Sequence, residues 1–161
     1  MAASKDTKIE GGCACGAVTY RLTAEPLFVH CCHCRHCQRE NGSAFALNAL
    51  IETSHVELLS GVPKVFPVPS ESGKGQKFVR CPDCAIALWS YYSGAGEKIS
   101  FIRVGTLKDP DQFSPDIHIF TESKQPWVVV PEDLPSYPRF YKWADEWPAA
   151  SLERRERVLQ N

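Results

Sequence analysis

The chain has 161 residues, with 18 cationic side chains against 19 anionic ones and a formal net charge of −1. That length suits a single domain, 1–161, large enough to bury a real core. The near-zero balance excludes a general electrostatic grip on nucleic acid or an anionic membrane, since both need a concentrated basic face.

The first ten residues carry no apolar stretch of the length a secretory signal requires. No later segment approaches 18 uninterrupted apolar residues. The expectation is a cytoplasmic protein, in which thiols stay reduced and a cysteine pattern means metal or catalysis rather than disulfides. Eight of the 161 residues are cysteine, roughly 5%, which is below the level of a disulfide scaffold.

In chain order, Gly11, Gly12 and Gly16 bracket Cys13 and Cys15 with turn-permissive positions. Strands are expected over 17–22 and 28–30, the second running into Cys31, Cys32, Cys34 and Cys37. Cys37, with Gly42 shortly after, fits a turn or short helix. Further short strands, rich in branched and aromatic residues, are expected over 44–51, 56–59, 64–68, 78–80, 86–91, 99–104 and 116–120. Cys81 and Cys84 sit at the turn between two of them, and 70–75 reads as an exposed loop. No long helical period interrupts the series, so the fold class is mainly β. A core over about 9–140 precedes a C-terminal tail, 141–161.

From Pro126 onward prolines break regular structure, and Trp127, Tyr137, Phe140, Tyr141, Trp143 and Trp147 are interleaved among them. The favoured reading is a tail that packs its rings over the sheet; the other is an aromatic wall beside an active site. The segment 151–159 reads as a marginal helix capped by Ser151, with mixed charges on a solvated face.

Side chains two apart on an extended backbone share a face. Cys13 with Cys15, and Cys32 with Cys34, can therefore each reach one ion, while Cys31 and His33 point the other way. Cys13, Cys15, Cys81 and Cys84 meet the four-ligand count of a closed structural zinc, with sulfur about 2.3 Å from the metal. Such an ion would cross-link distant parts of the chain; structural zinc contributes about 10–16 kcal/mol in peptide systems. Cys32, Cys34 and Cys37 offer three ligands, the count of a catalytic site with an exchangeable fourth position. His30, His33, His36 and Cys31 are close enough in sequence to close it instead. An open site would carry three thiolates on a divalent ion, a weak Lewis acid suited to holding an incoming thiol as thiolate. Asp116 and His118 share a strand parity and form a candidate acid/base pair, although a structural histidine is the commoner case.

Three cysteine motifs in this order resemble the glutathione-dependent formaldehyde-activating enzyme family, which includes centromere protein V. They are Gly12-Cys-Ala-Cys-Gly16 with Val18 and Tyr20; Cys32-His-Cys-Arg-His-Cys-Gln-Arg39 with 42–45; and Phe78-Val-Arg-Cys-Pro-Asp-Cys84 with Leu88. The stretch from His118 through Lys124 and Trp127 to Pro135 is similar to the family's C-terminal signature. The resemblance implies a small zinc-binding β fold of the β-tent type, with short helices. It also implies two zinc ions, one structural at Cys13, Cys15, Cys81 and Cys84 and one catalytic at Cys32, Cys34 and Cys37.

The activity it implies is that of a carbon-sulfur lyase, similar to S-(hydroxymethyl)glutathione synthase. Formaldehyde or a related small electrophile would add reversibly to a thiol such as glutathione, in aldehyde detoxification. Arg35 and Arg39 are candidates to pair with glutathione carboxylates, because guanidinium matches carboxylate geometry. His33 or a water would handle the proton. The chain departs from the family at Ala85, where glycine is usual, and in the additional thiol of Cys31. Two other readings stand beside this one: a non-catalytic zinc module for protein partners, and a family enzyme acting on a different thiol and electrophile. The centromere branch would bring a basic extension, whereas 12 residues precede Cys13 and the charge is −1.

Overall fold

The computed structural model describes residues 9–160. Residues 1–8, on which most of the reading of a missing secretory signal rests, lie outside the described residues. Ten strands form two sheets. A three-stranded antiparallel sheet is made of β1 (Ile9–Gly12), β2 (Thr19–Leu22) and β5 (Val56–Ser60), in the order β1-β2-β5. The larger sheet contains β3 (Phe28–Cys32), β4 (Ala46–Glu52), β6 (Lys64–Val68), β7 (Gln76–Arg80), β8 (Ala87–Tyr92), β9 (Ile99–Arg103) and β10 (Ile117–Ile119). Its order is β10-β3-β4-β9-β8-β7-β6, and only the β10–β3 pair is parallel.

Every residue of β3 and of β9 is buried, because the middle of the large sheet is covered on both faces. The side-chain alternation separates two cores. Val29, Ala49, Ile51 and Ile102 pack with Ile9, Val18, Tyr20 and Leu22 of the small sheet. Phe28, Cys32, Ala46, Leu50 and Phe101 face the opposite way, against Tyr141 and Trp147 of the C-terminal tail.

Two helices form the tail, α2 (Trp143–Glu146) and α3 (Ala149–Gln160), while α1 (Arg35–Asn41) follows β3. Gly42, at φ 60°, closes α1 in the left-handed region, donating its N–H to the Gln38 carbonyl. The expected C-terminal helix with an exposed charged face is present, but the cap assigned to Ser151 is corrected: α3 starts at Ala149, and Ser151 is an anchor inside it, donating its hydroxyl to the Leu27 carbonyl at 2.7 Å. Arg154 donates to both carboxylate oxygens of Glu52, at 2.9 and 2.6 Å, and to the Glu25 carbonyl. The Phe28 and Trp147 rings stack with centroids 5.3 Å apart. No described helix is long and apolar enough to cross a membrane.

Candidate functional site

Three groups of metal-ligating side chains converge among the described residues. The first joins Cys13 and Cys15, on the turn leaving β1, to Cys81 and Cys84, on the turn between β7 and β8. Gly16, at φ 78°, lets the first turn double back so that Cys13 and Val18 close it with a backbone hydrogen bond of 3.0 Å. The sulfurs of Cys13 and Cys15 are 3.5 Å apart, and those of Cys15 and Cys81 3.7 Å. Four sulfurs at tetrahedral angles around a metal with bonds of about 2.3 Å would stand about 3.8 Å from one another, so the cluster fits such an ion.

Backbone N–H groups complete the environment. Val18 donates to the Cys13 sulfur at 3.3 Å, and Ala17 and Ile86 donate to those of Cys15 and Cys84. Such donors stabilise sulfur as thiolate. Burial alone would raise the Cys13 thiol, but the Val18 N–H and the neighbouring sulfurs outweigh it and pull it down to about 6.

The second group is Cys32, Cys34 and Cys37, all buried. Cys32 ends β3, Cys34 caps α1, and Cys37 lies one turn into that helix. The Cys34 sulfur accepts from the Cys37 N–H at 3.3 Å, so the same bond that starts the helix orients a ligand. Hydrogen bonds from Cys32 and Cys37 pull the Cys34 thiol far down, and the bond with Cys34 pushes Cys32 up. Coordination to a divalent ion would favour the thiolate at all three sulfurs.

None of the neighbours considered as a fourth ligand joins this group. His30 is turned to the Tyr141 hydroxyl at 2.6 Å, which also accepts from the Trp147 indole, and burial holds its ring neutral, down to about 3. His36 meets the Gln76 side-chain amide.

Cys31 and His33 make a third group that the sequence left unassembled, together with His118. Cys31 pairs with His118 across β3 and β10, and both point to the face opposite Cys32. His33 Nε2 lies 3.6 Å from the Cys31 sulfur and 2.9 Å from His118 Nδ1, with the two rings stacked. Parity was the available signal for Cys31 and His33, which share the face that Cys32 and Cys34 leave; His118 reaches them only through the pairing of β10 with β3. Asp116 does not pair with His118; its carboxylate accepts from the Val29 N–H at 2.8 Å.

A cavity of about 240 Å³ opens on Cys32 and Cys34. Its walls are Tyr92, Phe101, Ile119, Phe120, Phe140 and Trp143, with His30 and Asn48 also lining it. Of the tail's aromatic residues, Tyr141 and Trp147 pack over the sheet, Phe140 and Trp143 line the cavity, and Trp127 does neither and is exposed. Arg35 and Arg39 are exposed and lie outside this lining; Arg35 donates to the Gln38 side chain at 2.9 Å. The cavity's one formally charged lining residue is Glu71, in the loop before β7.

The profile of the family described as glutathione-dependent formaldehyde-activating enzyme matches residues 8–123, which include all eight cysteines. The chain belongs to that family. The family is enzymatic, and its theme of glutathione and formaldehyde is the general setting of this site. A crystal structure of a Rhodobacter sphaeroides protein is similar in fold, with a TM-score of 0.50 and 20% identity, covering 66% of this chain and 97% of that one. The matched family segment ends before Phe140 and Trp143, so the cavity's aromatic wall comes partly from chain beyond it.

Proposed function

We propose that the chain is a carbon-sulfur lyase that reversibly joins a low-molecular-weight thiol such as glutathione to formaldehyde or a related small electrophile, in the cytoplasm. Cys32, Cys34 and Cys37 hold one zinc ion in this reading, and Cys13, Cys15, Cys81 and Cys84 hold another that is structural. A zinc ion with three cysteine ligands supplies an open position where an incoming thiol is kept deprotonated.

The observation that carries the reading is the unequal ligand count: four sulfurs make one group, whereas three make the other, two of which, Cys32 and Cys34, line a cavity. Cys34, anchored by the Cys37 N–H, fixes the geometry of that second group. The aromatic walls exclude water from the reacting carbon and hold it beside the thiol, converting a bimolecular encounter into a positioned one. Asn48 is held by Arg103, whose guanidinium donates to its Oδ1 at 2.5 Å. That leaves the Asn48 amide NH₂ as a donor for the oxygen of the electrophile.

Exchange spectroscopy on formaldehyde and glutathione tests the reading. The wild-type protein should accelerate exchange, and Cys34→Ser should abolish the acceleration while leaving the zinc of the four-sulfur group bound. Equal exchange rates with and without the wild-type protein would overturn it.

A further inference from the structure

We infer that the electrophile for which this cavity is built is not formaldehyde but an aldehyde carrying an apolar aromatic ring; the inference rests on the thiol-addition reading above. Formaldehyde has no body to be recognised, and about 240 Å³ of walled space beside Cys32 and Cys34 would be left for water. Five of the lining residues are aromatic: Tyr92, Phe101, Phe120, Phe140 and Trp143. Burying a ring among such faces is favourable both through the apolar area removed from water and through edge and offset contacts between rings.

Glutathione itself does not account for the lining. Its two carboxylates need cationic or N–H partners, and an unpaired carboxylate costs several kcal/mol to bury. The lining has no Lys or Arg, and its one charge, on Glu71, has the wrong sign. The volume also falls below the range of about 300–1,000 Å³ typical of drug-sized ligands, which suits one small ring system rather than a tripeptide. The thiol therefore reaches the cysteines by its sulfur end, with its charged groups outside, and the cavity is left for the electrophile.

The wall is built rather than incidental. Phe140 and Trp143 have ring centroids 5.6 Å apart, and Trp143 packs edge-on against Trp147 at 4.6 Å. Trp147 is in turn fixed by its bond to Tyr141 and its stack on Phe28. The step balances without a further reactant. The thiol loses its proton, its sulfur forms a bond to the carbonyl carbon, the π pair moves to oxygen, and a proton returns there to give the hemithioacetal.

The test separates binding from chemistry. The zinc-loaded protein is titrated with 2-naphthaldehyde and, as an unreactive probe, 2-naphthalenemethanol, following tryptophan fluorescence; hemithioacetal formation is followed separately with 2-naphthaldehyde and with formaldehyde, each with glutathione. Both naphthyl compounds should bind, and Phe140→Ala should weaken binding about 10-fold, as expected for the loss of one ring face, with zinc content unchanged.

Catalysed formaldehyde exchange without naphthyl binding would overturn this inference and leave the general reading standing. Naphthyl binding with neither aldehyde converted would overturn the thiol-addition reading while the apolar site stood. Binding that Phe140→Ala and a second variant, Phe120→Leu, both leave unaltered would also overturn the inference, because the ring would then sit elsewhere.

Discussion

The four-sulfur and three-sulfur groups use the same ligand atom and differ in almost everything around it. Cys13, Cys15, Cys81 and Cys84 lie on two tight turns far apart in the chain, partly open to solvent, with Cys15 exposed. Cys32, Cys34 and Cys37 lie within six residues and are all buried, and Cys32 and Cys34 line a walled cavity. An ion in the first group cross-links two turns distant in sequence; an ion in the second closes a loop that β3 and the α1 cap already hold. Ligand type alone therefore does not separate a structural from a reactive site. Ligand count, chain separation and the space beyond the fourth position do.

The comparison is broken most directly by removing one sulfur from each group. Cys13→Ser should give protein that is insoluble or melts far lower, whereas Cys34→Ser should stay folded with its melting temperature nearly kept. Soluble yield and calorimetry measure both, and equal losses would erase the distinction. Graded chelation should follow the same order, with the first zinc leaving at little cost in melting temperature and the second unfolding the chain.

A smaller effect is expected where the tail that walls the cavity is tied down. Burial would raise the Glu52 carboxyl, but the hydrogen bonds from Arg154 outweigh it and hold the group below the usual carboxylate range. With the folded value lower than the unfolded one, the pair stabilises at neutral pH. That stability is lost as pH falls below the ordinary carboxylate value and through the lowered one. Arg154→Ala should cost about 2 kcal/mol at pH 7, since it leaves a buried carboxylate unpaired. Denaturant melts at pH 7 and pH 3 should show the cost shrinking in acid.

The smallest change sharpens the four-sulfur side. Ala85 sits at φ 62°, in the left-handed region, directly after Cys84. An L side chain there costs about 1–2 kcal/mol, partly recovered through a less mobile unfolded chain. Ala85→Gly should therefore stabilise by about 0.5–1 kcal/mol, a rise in melting temperature of about 1–4 °C for a chain of this size.

Most of this architecture was legible in the sequence because strand parity is a hard geometric rule. The alternation that sends Cys32 one way and Cys31 the other holds through β3. The separation of four sulfurs from three followed from it, as did the short strands between Gly and Pro turns. What was not legible depends on tertiary neighbours. No local signal tells that β10 lies parallel to β3, which is what sets His118 against His33. β1 was missed as a strand because two of its four residues are glycines, and it is held by pairing to β2 rather than by propensity. The role of the tail was also hidden, since its helix has a weak apolar stripe and is fixed by single polar anchors, Ser151 and Arg154, whose partners Leu27 and Glu52 lie more than a hundred residues earlier.

The ring wall and the sulfur floor are encoded by separate stretches of chain, the floor within 32–37 and much of the wall from 120 to 143. Phe140 and Trp143 lie outside every sulfur-bearing segment and every strand. Such a division gives selection two independent dials. On the proposed reading, the chemistry stays fixed in a short segment, while the identity of the molecule admitted to it can drift through substitutions in a segment joined to the sheet by a few bonds. Divergence among chains of this build should accordingly concentrate at positions equivalent to Phe140 and Trp143 before it reaches the cysteines.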